Sequence, residues 1–224
     1  ALAPYLPYID CNTNLILIQN GLGVLEVLRE EVFPQSENRP NLFQGVISHG
    51  CFQDKGFIYN HAGFVGIKIA RVPWSQEDLV QTKEFVTKDV NENSLVKILT
   101  EPTFAKAFNS EIMTYQEMLF GQLFKFFINA CINPITATMD CDNGEMVDVC
   151  RPVFVSIIEE GLDILRIAYK PLFEYEETYN DVEGYPSLDV NAVLNVEHLA
   201  NEIIDMGCVV NAKNSSSMRQ DTRY

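Results

Sequence analysis

Leu15-Ile16-Leu17-Ile18-Gln19-Asn20-Gly21-Leu22-Gly23-Val24-Leu25-Glu26 runs from unbroken apolar residues through an Asn-Gly turn into residues at helical spacing. The apolar run, residues 14–19, reads as a strand buried on both faces of a parallel sheet. Val24-Leu25 and Val27-Leu28 then recur through Glu31 until Pro34 ends the pattern. Strand, turn and helix in that order are an α/β unit. Gly21-Leu22-Gly23 begins as the dinucleotide fingerprint does, but Glu26 stands where the third glycine belongs. Its carboxylate in the first helical turn would repel a pyrophosphate, so this is not the primary phosphate loop. Asn20 has two readings. At the carboxyl end of a parallel strand it faces the crevice where α/β sheets bind ligands, and as part of Asn-Gly it is ordinary turn chemistry.

Downstream, residues 43–48, 56–60 and 64–70 read as strands joined at Asp54-Lys55-Gly56 and His61-Ala62-Gly63. Residues 76–88 form an amphipathic helical pattern, and residues 94–99 a short strand or helix end. After Glu101-Pro102 the character changes. Residues 111–131 make a long helix closed by Asn133-Pro134, because a residue before proline is pushed out of α geometry. Residues 153–168 and 190–206 are further helices, and the acidic residues 174–184 are expected as a solvated loop. The expected fold class is α/β plus all-α. Residues 1–101 are the C-terminal portion of a Rossmann-like nucleotide-binding domain, and residues 102–224 an all-helical substrate or catalytic domain, truncated.

Composition narrows the function. The chain has 224 residues, 47% hydrophobic and 21% charged, an ordinary globular balance. Sixteen Lys and Arg against 31 Asp and Glu give a formal charge of −15, which repels phosphate backbones and anionic lipid, so neither nucleic acid nor membrane is an expected partner. No continuous apolar run approaches the ~18–20 residues of a bilayer span. Cys11, Cys51, Cys131, Cys141, Cys150 and Cys208 include no C-x-x-C pair and read as buried thiols of a reducing, cytoplasmic compartment. His49, His61 and His198 lack a metal-ligand rhythm, so no metal is expected. No G-x-S-x-G supplies a hydrolase nucleophile.

The sharpest chemistry lies in the long helix, Leu119 onward, which is apolar nearly all round and therefore buried. Lys125, Asn129 and Asn133 recur at i, i+4 and i+8, one polar stripe along it. A partly desolvated lysine gives up its proton more readily, which suits a general acid, and the amides can orient substrate oxygens without adding charge. The other reading is a lysine whose stem packs while its head reaches water. Asp142-Asn143-Gly144 is a turn signal, and Asn214-Ser215-Ser216-Ser217 a helix cap or polar helix start.

Residues 18–26, with Gln19-Asn20-Gly21, resemble the QNGxGxxE segment of the 2-dehydropantoate 2-reductase (ketopantoate reductase) family. The helix from Lys125 through Asn129 and Asn133 to Ala137 resembles the family's KLxxNxxINPLTA segment, Asn143-Gly144-Glu145 follows as it does there, and Ser216-Ser217-Met218-Arg219-Gln220-Asp221 resembles SSMxQD. His49-Gly50 sits where the family has its THA hairpin. The resemblance implies NADPH-dependent reduction of a small 2-oxo acid, most specifically 2-dehydropantoate to pantoate. It implies Lys125 as the catalytic proton donor, and Asn129, Asn133, Asn143, Ser217 and Asn214 as substrate-binding. Asn20, Gly21 and the backbone at Cys51 would meet the cofactor. The family's N-terminal glycine loop, first βαβ units and 2′-phosphate-binding residue have no counterpart in the chain, and its glutamate after SSMxQD falls beyond Tyr224. A portion of a reductase lacking both ends is therefore expected. The alternative is a non-catalytic member using its helical domain for homodimerisation or scaffolding.

Overall fold

The structure is a computed structural model that describes residues 2–53, 55–146 and 150–222. Asp54, one of the expected turn residues, lies outside the described residues, as does the end of the family resemblance at 223–224. The chain divides into two compact units, residues 1–119 with 182–186, and residues 120–181 with 187–224.

In the first unit β1 (Asn14–Leu17) leads through the glycine turn into α1 (Val24–Val27), which continues as a π-helical turn, Leu28–Val32. Then come β2 (Asn41–Ile47), the hairpin β3 (Gly50–Gln53) and β4 (Tyr59–Gly63), and β5 (Ile67–Arg71). Three helices follow, α2 (Lys83–Glu92), α3 (Ser94–Thr100) and α4 (Pro102–Phe108), and then β6 (Ser110–Ile112). The main sheet has the order β1-β2-β5-β6; β2 pairs parallel with β1 and antiparallel with β5, and β6 joins β5 in parallel. Phe43, Ile69, Val96 and Leu99 form its core, with Ile16, Ile67 and Ile112 packed against them.

Several expectations need correction. Among the described residues β1 is an edge strand, and its four residues are half-buried. The strand expected at residues 56–60 lies later, and His61 and Gly63, expected as punctuation, sit inside β4, paired with Cys51 and Gly50. The helix expected at 76–88 is a short turn, Gln76–Asp78, and then α2, because Thr82 restarts the backbone by accepting from the Phe85 amide. Residues 94–99 are helical, capped by Asn93, whose side chain accepts from Leu95 and Val96. Contacts divide the chain after Leu119, not near Pro102, because β6 pairs with β5.

α5 (Tyr115–Met139), 25 residues long, begins in the first unit and belongs to the second from Phe120 on. Thr114 starts it, four residues later than expected; its amide and hydroxyl both donate to Glu117 at 3.0 and 2.7 Å, one half of a capping box. The helix also runs straight past Pro134. Proline costs one backbone hydrogen bond there, but Ile132 and Thr136, on either side of it, are fully or nearly fully buried, and that packing holds the next turn. By length and composition α5 could cross a membrane, contrary to the sequence expectation. A buried core helix has the same composition, and Leu123, Phe127, Cys131 and Ile132 are buried inside the protein.

After α5 come α6 (Arg151–Ala168), α7 (Lys170–Phe173), α8 (Tyr175–Tyr179), α9 (Val190–Val193) and α10 (Val196–Glu202). A π-helical segment, Ile203–Val210, and α11 (Ser217–Asp221) complete the unit. α8 corrects the first half of the expected acidic loop, since Tyr175 is fully buried and Tyr175–Tyr179 is helical, while residues 180–184 are turn and bend. The helix expected over 190–206 breaks at Asn195, which caps α10 by accepting from the His198 amide. α5 meets α6 where a Cβ on Gly161 would lie 2.6 Å from the Phe127 ring, and meets the π-helical segment where one on Gly207 would lie 2.2 Å from Ile132. Both glycines are spacers that let helices approach. Val182–Pro186 returns to the first unit, and the Gly184 carbonyl accepts from the Lys83 amide at 2.8 Å.

Candidate active site

In the second unit Lys125, Asn129 and Asn133 all lie on α5 and are half-buried. At 1.5 Å rise per residue the stripe spans about 12 Å along the axis. Burial lowers the Lys125 pKa from its ordinary 10.5, because the ammonium gives up water. The lower end of the stripe joins two other segments. Asn133 Nδ2 donates to Ser217 Oγ at 3.4 Å, and Thr136 Oγ1 donates to Ser216 Oγ at 2.6 Å. Ser216 caps α11 by accepting from the Arg219 amide, as the serine run suggests.

Asn143 opens the short helical turn Asn143–Met146. Its amide donates to the Asn214 carbonyl at 3.1 Å, and that of Gly144 donates to Ala212 at 2.9 Å. There is no room for a side chain at Gly144, since a Cβ would meet Ala212 at 2.7 Å. Asn143 is only 7% exposed, and among the described residues its Oδ1 is a buried acceptor with no partner. An unsatisfied amide oxygen of this kind costs free energy unless a ligand donor reaches it. Asn214 and Ser217 are exposed, and the Asn214 side chain donates to Asn211. The structure therefore gathers Asn133, Asn143, Asn214 and Ser217 at one end of α5, with Asn129 and Lys125 one and two turns back along it.

Sequence reasoning missed the groups that hold this cluster. Arg219, 8% exposed, donates through Nε to Asp140 Oδ1 at 2.9 Å, through Nη2 to the Asp140 carbonyl at 3.0 Å, and through Nη1 to Asp142 Oδ1. A lone arginine in the serine-rich segment of so acidic a chain was the available signal.

The other expected residues lie in the first unit. Asn20 and Gly21 occupy the turn after β1, both exposed. Gly21 at φ +101° and Gly23 at φ +84° adopt the left-handed region, which requires glycine. A Cβ on either would meet nothing within 4 Å. Cys51 is exposed on β3, a separate hairpin. Beside it His49 Nε2 donates to the Phe108 carbonyl at 2.8 Å, which leaves Nδ1 as an acceptor for His61 Nε2 at 3.2 Å. Imidazoles that bond each other in this way hold the hairpin.

A mixed Rossmann-like sheet followed by a helical unit bearing a lysine–asparagine stripe defines an α/β plus all-α protein. Two family models agree with that class: ketopantoate reductase PanE/ApbA matches residues 1–74, and its C-terminal counterpart matches residues 118–224. The chain belongs to the ketopantoate reductase PanE/ApbA family. A 2-dehydropantoate 2-reductase of Saccharomyces cerevisiae is 63% identical over 224 residues, all of this chain and 59% of the relative. A relative in Schizosaccharomyces pombe is 37% identical over 223 residues, 99% of this chain and 58% of the relative. The chain thus spans somewhat over half the length of these curated relatives. Among solved structures, a D-mandelate dehydrogenase determined with NADH and anilino(oxo)acetate matches in fold with a TM-score of 0.62 at 14% identity, over 98% of this chain and 57% of that one.

Proposed function

We propose that this chain is the substrate-handling part of an NADPH-dependent 2-dehydropantoate 2-reductase, which reduces a 2-oxo acid to its 2-hydroxy acid in the cytoplasm. The observation that carries the reading is the half-buried Lys125 in line with Asn129 and Asn133, the last bonded to Ser217, with Asn143, whose buried Oδ1 has no partner among the described residues, just beyond the end of α5. The first unit contributes the back of the nucleotide-binding domain and the second unit the catalytic one.

The residues present fit the nicotinamide side of the cofactor. A Cβ on Gly21 or Gly23 would meet nothing within 4 Å, which leaves space beside their turn, and Asn20 and Cys51 are exposed. Glu26 at the start of α1 does not suit a pyrophosphate. When bound, the cofactor supplies a hydride to the keto carbon. Lys125 Nζ gives its proton to the oxygen as negative charge grows there, so the carbonyl becomes a hydroxyl and the lysine is left neutral for reprotonation by water. Asn129 and Asn133 hold the oxygens of the acid, and the Asn143 Oδ1 accepts from a hydroxyl.

The test is NADPH consumption by the full-length protein with 2-dehydropantoate and, separately, with shorter 2-oxo acids. Preferential turnover of 2-dehydropantoate supports the reading, and no turnover of any of them overturns it. A helical dimerisation role is favoured by one observation, the exposure of Ile164 and Ile167 on α6. Sedimentation that finds only monomer removes it.

A further inference from the structure

We propose that Arg219 is a positioning residue for the 2-oxo acid. Its guanidinium sets the separation and charge of the two segments that carry Asn143 and Ser217. The proposal rests on the functional reading above, but its geometry stands apart from it. Arg219 lies two residues after Ser217 on α11, and its three bonded nitrogens reach Asp140, where α5 ends, and Asp142, the residue before Asn143. One rigid fork therefore ties the α11 start to the turn that carries the buried amide.

Two features make this more than a surface ion pair. Asp140 has φ +50°, a left-handed conformation that costs a non-glycine residue free energy, and the Arg219 bonds to its side chain and its carbonyl hold it there. Asp140 and Asp142 also place two carboxylates beside the site in a chain already at −15, where they would repel an anionic acid. Arg219 offsets one of these two charges and directs three of its five N–H donors at Asp140 and Asp142, so its part is to shape the site and lower its negative charge. A lysine would keep the charge but not the fork.

The experiment uses the full-length protein, with Arg219→Met removing charge and fork and Arg219→Lys removing the fork alone. Amide exchange at Asn143 and Gly144, whose partners are the Asn214 and Ala212 carbonyls, is read beside kinetics. For Arg219→Met, exchange at these two amides should quicken and KM for the oxo acid rise, each by about tenfold or more, because small misplacements are costly at a reacting centre. KM for NADPH should stay within about twofold, since uniform loss of structure would move both constants together. Arg219→Lys should show the same split, smaller. A parallel rise in both KM values, or quickened exchange with an unchanged KM for the acid, overturns the positioning role. Should Arg219→Met not fold, Arg219→Lys and Asp142→Asn decide the matter by the same split. If the unsubstituted protein reduces no 2-oxo acid, the functional reading fails and the substrate half of this proposal falls with it; exchange then decides the ordering half.

Discussion

The role proposed for Lys125 makes two demands: the side chain must be dry enough to release a proton and wet enough to regain one. Half-burial on α5 satisfies both, and desolvation moves its pKa below 10.5. In the proposed role of general acid Lys125 works protonated, so kcat should be level at lower pH and fall as pH rises through the shifted value. The alkaline limb should break below 10.5 in a pH–rate profile. Lys125→Ala should lower kcat by at least about 10²-fold, the low end of general-acid contributions; unchanged turnover would take the residue out of the chemistry. This residue was legible from sequence because Lys125, Asn129 and Asn133 are neighbours by helical spacing alone. Arg219 was not, because its acidic partners lie 77 and 79 residues away in the chain and only folding brings them close.

Among the elements, α5 shows where local rules stop. A proline four-fifths of the way along reads as a terminator, yet the buried face continues through Thr136, and the last turn beyond Pro134 is kept by packing. β1 shows the converse. An apolar run signals burial but not how many neighbours provide it, so an edge strand and a central strand look alike. The helix contact at Gly161 gives a direct test. Gly161→Ala places a methyl 2.6 Å from the fully buried Phe127 ring, and the core must shift to admit it. Urea unfolding should show a loss of about 1–3 kcal/mol, the range for overpacking a core. A gain in stability, as helix propensity alone would give, would mean that α5 and α6 do not approach as described.

Across the whole molecule, the cysteines report packing. Four of the six, Cys131, Cys141, Cys150 and Cys208, are buried as expected, whereas Cys11 and Cys51 are exposed. Burial pushes the Cys131 thiol up to about 12 and Cys208 up to about 11, so neither carries useful thiolate near neutrality. Mass spectrometry after brief iodoacetamide treatment of the native protein should find Cys11 and Cys51 modified and the other four intact until denaturant is added. Early labelling of Cys131 would contradict the packing of α5. The two-part architecture and its order were legible, because strand-rich and helix-rich stretches differ in period. The division after Leu119 was not, because it depends on which strand β6 pairs with.

The short return of Val182–Pro186 to the first unit bears on synthesis. A ribosome delivers the chain from the amino end, and the carbonyl that receives the Lys83 amide belongs to Gly184. The sheet-bearing unit therefore cannot finish folding when its own strands have emerged. It waits, one segment short, until α5 to α8 have been translated, and so its completion is timed by the birth of the helices that follow it.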